Sequence, residues 1–119
     1  MIIGLDHIQL AMPKGEEARA RGFFTGILDM AELPKPENLK ARGGCWFTCG
    51  VQEVHIGVEE GFRPAKKAHP AFLVQDLGAV QAGLEAHGVM ITHQPPLPGA
   101  QRIFIEDPFG NRIELLERV

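Results

Sequence analysis

The chain has 119 residues, 45% hydrophobic and 23% charged, with a net charge of −3; that length holds one domain or two modules of about 60 residues sharing a core. Its 12 Lys and Arg residues form no basic stripe, which argues against nucleic acid as a partner. No apolar run approaches the ~20 residues needed to cross a bilayer, and the start lacks the charged and apolar regions of a signal peptide, so the expectation is a cytoplasmic protein with no membrane partner.

Residues 7–12 alternate Ile8, Leu10 and Met12 on one face with His7, Gln9 and Ala11 on the other, the period of a half-buried strand. Pro13-Lys14-Gly15 ends it. Ala20, Phe23, Phe24, Ile27 and Leu28 then recur at helical spacing behind Glu16 and Glu17, which predicts a helix over about 16–29 with acids at its positive end. Pro34, Pro36 and Gly43-Gly44 mark a loop around a short strand near 39–42, and 45–49 and 54–59 read as two strands joined through Gly50-Val51-Gln52. Cys45 and Cys49 on one strand stand ~13 Å apart at ~3.3 Å per residue, too far for a disulfide, and they match no zinc-site spacing.

Residues 61–67 read as a linker, after which the order repeats. A strand over 69–74 is followed by Asp76 as N-cap, a helix with Leu77, Val80 and Leu84 on one face, and Gly88 as its stop. Pro95-Pro96-Leu97-Pro98-Gly99 is a stiff loop, 102–106 a strand, 107–111 a turn and 112–117 the last strand. The pairs His7/His69, His55/Glu114 and Phe47/Phe104 are separated by 62, 59 and 57 residues, so the halves keep register apart from loop lengths. The fold class expected is α+β, two βαβββ modules at about 1–60 and 68–119 in a single domain.

Side chains alternate along a strand, so Ile8/Leu10, Val54/Ile56/Val58, Phe72/Val74 and Ile113/Leu115 should pack on the helices. The opposite face then carries His7, Gln9, His55, Gly57, His69, Ala71, Arg112 and Glu114. Three imidazoles and a carboxylate on one face are costly to leave dry and unpaired, and water or a metal ion is the simple remedy. His7, His55, His69 and Glu114 suit Zn²⁺, Ni²⁺, Co²⁺, Fe²⁺ or Mn²⁺ better than Ca²⁺ or Mg²⁺. His87, in a last helical turn, is assigned a structural role, and His93 lies outside the pattern. Gln9, Arg102, Phe104 and Arg112 share the predicted inner face and are candidate contacts for a small anionic or oxygen-rich ligand.

From Asp6-His7-Ile8, through Ala18 to Leu28, to Asp107-Pro108-Phe109-Gly110-Asn111-Arg112-Ile113-Glu114-Leu115, the chain resembles the vicinal oxygen chelate superfamily. That group includes glyoxalase I and the fosfomycin-resistance, bleomycin-resistance and extradiol-dioxygenase proteins. The resemblance implies two βαβββ modules forming a curved mixed sheet around a divalent metal, with His7 and His69 matching the opening-strand ligands and His55 and Glu114 the closing-strand ones. His55 departs from the Glu common in glyoxalase I-like members, so it is a fourth ligand or an acid/base group beside a His7/His69/Glu114 triad. Short members of the family usually dimerise and share sites between subunits, so a homodimer is expected.

The resemblance further implies bidentate chelation of adjacent substrate oxygens by a Lewis-acidic metal. Isomerisation also moves a proton between neighbouring carbons, which normally takes a carboxylate base, here Glu114. The first expectation is a metal-dependent lyase or isomerase acting on a small vicinal-oxygen substrate. The alternatives are a bleomycin-resistance-type sequestering protein or an extradiol-type dioxygenase.

Overall fold

The structure, a computed structural model, describes every residue from Met1 to Val119. The chain divides into two compact units, Met1–Pro64 and Ala65–Val119. Both are mixed α and β, with a four-stranded sheet in the first and a three-stranded sheet in the second. No helix is long and apolar enough to cross a membrane.

The first unit runs β1 (His7–Met12), α1 (Glu17–Phe24), β2 (Glu32–Leu33), a 3₁₀ helix (Glu37–Arg42), β3 (Cys45–Cys49) and β4 (Gln52–Val58). Its sheet order is β1-β4-β3-β2, with β1 parallel to β4 and the other pairs antiparallel. Met12, Phe47, Val54 and Ile56 of the sheet are buried, as are Ala20, Phe23 and Phe24 of α1, where Phe24 meets Phe23 edge-on at 5.0 Å and stacks on Phe47 at 5.4 Å. Gly50 takes φ 59° at the head of the two-residue β3–β4 turn, a conformation that favours glycine.

Helix α1 stops at Phe24, short of the predicted 29. Beyond it the bonds widen, from Gly26 N–H to Arg21 and from Leu28 N–H to Phe23, and Asp29 at φ 61° leaves the helical region. The strand expected near 39–42 is instead the 3₁₀ helix. Pro36 enters it at φ −55°, and Lys40 pairs with Glu37 one turn back at 2.7 Å. The edge of the sheet is taken by Glu32–Leu33, opposite Phe47 and Trp46.

The second unit runs β5 (Ala71–Leu73), α2 (Leu77–Ala86), β6 (Ala100–Glu106) and β7 (Arg112–Arg118). The sheet order is β5-β7-β6, with β5 parallel and β6 antiparallel to β7. Strand β5 starts later than the predicted 69 because Pro70 has no N–H to donate, although its carbonyl accepts from Glu114 N–H at 3.0 Å. The remaining strand of this module is reduced to one antiparallel bridge, Thr92 to Phe104, since Pro95, Pro96 and Pro98 cannot donate to a ladder. Helix α2 begins as predicted, with Asp76 Oδ1 accepting from Ala79 N–H at 3.0 Å, and Gly88 follows its end at φ 72°.

The turn between β6 and β7 is organised by a buried carboxylate. Asp107 accepts from the N–H groups of Phe109 and Asn111 at 2.9 Å each and from Asn111 Nδ2 at 2.7 Å. Gly110, at φ 92°, completes the reversal. The register that follows sets Phe104 opposite Glu114 and Arg102 opposite Leu116.

Candidate functional site

In the first unit, parallel pairing of β1 with β4 sets Gln9 beside His55, and antiparallel pairing of β3 with β4 sets Trp46 on its other side. Three rings result in a row. His7 stacks on His55 with centroids 4.0 Å apart and planes at 19°, and Trp46 covers the opposite face at 3.9 Å and 3°. The His55 side chain is thereby only 8% exposed although it lies on the face away from α1. Its Nε2 meets Glu53 Oε1 at 2.8 Å, and His7 Nδ1 meets Asp6 Oδ2 at 2.8 Å. Gln9 lies across Gly57, where a Cβ would stand 2.1 Å from Nε2 of the amide, so glycine makes the room.

Trp46 and Glu53 are absent from the sequence-based candidates. Parity held the signal: Phe47 and Val54 face the core, so Trp46 and Glu53 must face the other way, beside His55.

In the second unit His69 and Glu114 meet. His69 Nε2 stands 2.9 Å from Glu114 Oε1, while His69 Nδ1 faces the Lys67 carbonyl at 2.9 Å. That carbonyl can only accept, so Nδ1 carries the hydrogen and Nε2 is the nitrogen turned to the carboxylate. At 2.9 Å the two atoms can share a proton or a metal cation. Glu114 is 4% exposed, and its Oε2 receives Arg102 Nη1 at 3.4 Å.

Arg102 is otherwise committed, donating Nε and Nη2 to the Pro95 carbonyl at 3.0 and 2.7 Å. Phe104 lies at the centre of this face. Arg112 Cζ sits 4.4 Å from its centroid, Arg102 Cζ 5.1 Å, and the His69 ring meets it edge-on at 5.2 Å.

Four predicted ligands are thus joined as two pairs, His7 with His55 and His69 with Glu114, one pair in each unit. Neither unit alone brings three His, Cys, Asp or Glu side chains together as a metal site. His87 Nδ1 bonds the Gly83 carbonyl at 2.9 Å, a local helix-end contact. Cys45 and Cys49 are free thiols, each pushed up in pKa by burial.

A separate cleft of about 400 Å³ lies among Glu17, Arg21, Glu32, Lys35, Lys40 and the Gly43-Gly44 backbone. Its charges are spoken for. Arg21 Nε reaches both Glu32 oxygens at 2.9 and 3.0 Å, Lys35 donates to the Gly43 carbonyl, and Glu17 Oε2 accepts Gly44 N–H at 2.8 Å.

Residues 4–115 match the Glyoxalase/Bleomycin resistance protein/Dioxygenase superfamily. A solved protein from Bacillus anthracis, assigned to the glyoxalase family, is 49% identical with a TM-score of 0.97, covering 100% of this chain and 98% of its own. The fosfomycin resistance protein FosX from Listeria monocytogenes shares the fold at 20% identity and a TM-score of 0.77, over 100% and 96% of the two chains. Lactoylglutathione lyase from Agrobacterium tumefaciens does so at 19% identity and 0.74, over 96% and 92%. No curated protein matches the sequence significantly.

Proposed function

The chain belongs to the Glyoxalase/Bleomycin resistance protein/Dioxygenase superfamily, and on that premise we propose that it is a metal-dependent lyase or isomerase acting on a small vicinal-oxygen substrate. His7, His69 and Glu114 hold a divalent ion, one of Zn²⁺, Ni²⁺, Co²⁺, Fe²⁺ or Mn²⁺, and His55 is a fourth ligand or the proton carrier. The observation that carries the reading is the meeting of His69 Nε2 and Glu114 Oε1 at 2.9 Å. A backbone carbonyl behind Nδ1 is the usual support of a metal-bound histidine, so the donor set fits the ion.

When bound, the metal supplies Lewis acidity toward adjacent substrate oxygens. The remaining chemistry falls to the chain. Arg102, anchored on the Pro95 carbonyl, orients the Glu114 carboxylate. The His55–Glu53 pair supplies a second acid/base unit, which frees Glu114 from having to hold the ion and move a proton alone. Trp46 and His7 shield the His55 ring from water. Gln9, Arg102, Phe104 and Arg112 line the substrate face.

Because each unit carries one pair, the reading includes a homodimer whose chains contribute jointly to each site, acting in the cytoplasm, where Cys45 and Cys49 stay reduced. The test is equilibrium dialysis of the metal-free protein against Zn²⁺, Ni²⁺ and Co²⁺. Stoichiometric uptake is expected, abolished by His69→Ala with the fold checked by urea unfolding. Unchanged uptake in that variant overturns the assignment.

A further inference from the structure

Among the charged groups on the inner face of the second unit, one stands apart. Arg102 has three of its donor positions engaged, and Lys66 holds Glu106 at 3.4 Å and the Gly110 carbonyl at 3.3 Å. Arg112 has none. Its guanidinium, on a half-buried residue, makes no hydrogen bond or ion pair within the chain and lies over Phe104 at 4.4 Å. A carboxylate is at hand, since Glu106 is its direct cross-strand partner, yet Glu106 is taken by Lys66.

A guanidinium carries five donors, and none of those on Arg112 is buried without a partner, so they face solvent beside the Phe104 ring. Donors met only by water are open to an acceptor that arrives with a ligand. Strand periodicity puts Arg112 on the same face of β7 as Glu114, two residues away, and Phe104 touches both Arg112 and His69.

We propose that Arg112, propped on Phe104, is the specificity-determining residue for an oxyanion group, carboxylate or phosphonate, borne by the substrate. The inference rests on the reading of this face as the substrate face and adds its charge: the substrate is an acid, not a neutral diol or ketol. Phe104 fixes the guanidinium so that little side-chain freedom is lost when the anion docks, and Arg102 cannot substitute because its donors are committed.

The test compares glycolate with glycolamide, two small vicinal-oxygen compounds that differ in charge, by NMR titration of the metal-free homodimer or monomer as purified, at constant ionic strength. Glycolate is expected to bind at least about tenfold more tightly, the worth of one charge-assisted hydrogen bond. Arg112→Gln should bring the ratio close to one, and Arg112→Lys should keep part of the preference. Equal binding of the two compounds by the wild type, or a preference that survives Arg112→Gln, overturns the proposal. So does an Arg112→Gln variant that shifts the oligomeric state while the wild type shows no preference, which would make Arg112 an interface residue. Methylphosphonate as a third probe names the group: whichever of it and glycolate binds better in an Arg112-dependent way is the class accepted. Co²⁺ uptake is scored separately on the same samples. Preference without uptake keeps this inference and removes the metal reading, and uptake without preference does the reverse.

Discussion

Replacing Asp107 by Ala removes the acceptor that closes the β6–β7 turn. Phe109 N–H, Asn111 N–H and Asn111 Nδ2 lose a partner at 2.7–2.9 Å, and Asn111 is only 3% exposed, so water cannot take over fully. Three lost bonds to a carboxylate cost about 1.5–3 kcal/mol each, and release of a desolvated carboxylate returns part of it, leaving a net loss of about 3–5 kcal/mol. That is a large share of the ~6–18 kcal/mol expected for a chain of this size.

Urea unfolding at pH 7 measures it. A loss under about 1 kcal/mol at unchanged m refutes the reasoning. The pH dependence is a second check. Burial pushes the Asp107 carboxyl above its ordinary 3.8, against the pull of its bonds from Asn111, Phe109 and Gly110. The folded state then holds this proton more tightly than the unfolded one, so the group's contribution to stability falls as pH rises through the window above 3.8 and is level beyond it. The advantage of the wild type over Asp107→Asn therefore narrows as pH rises through that window.

Glu17 behaves oppositely. The Gly44 N–H holds its carboxyl below the ordinary 4.5, so its stabilisation is present above 4.5 and is lost as pH falls through the lowered value. Glu17→Gln should cost about 1 kcal/mol or less at pH 7, the group being partly solvated, and nothing in strong acid; a gap independent of pH in urea titrations would contradict this. Trp46→Ala uncovers one face of His55 and should cost about 1–3 kcal/mol, with the aromatic pair itself worth about 0.5–1.5. His55 ring resonances that do not move in the variant would show that the stack does not hold the imidazole.

Much of the architecture was legible because it rests on local pattern. Alternation at Ile8/Leu10, Val54/Ile56 and Ile113/Leu115 marked strands and their core faces, and Asp76 and Gly88 marked both ends of α2. Where reading failed, neighbours decided. Leu39 to Arg42 looks extended by composition, but the sheet edge went to Glu32–Leu33, and Pro36 favoured a 3₁₀ turn. Pro70 shortened a strand whose apolar pattern promised more, because a ladder counts N–H groups and not hydrophobicity.

The site divides along the same line. From the sequence alone came, unit by unit, the strand faces that carry His7, Gln9 and His55 in the first and Arg102, Phe104, Arg112 and Glu114 in the second, since a period of two is a property of the strand itself. Register came only from folding: it set Trp46 and His7 against His55, brought His69 Nε2 to 2.9 Å from Glu114, and gave Lys66 to Glu106, leaving Arg112 without an acceptor. Parity is written residue by residue along one strand, whereas partners depend on which strands lie side by side and by how many residues they are offset, and no single strand carries that information.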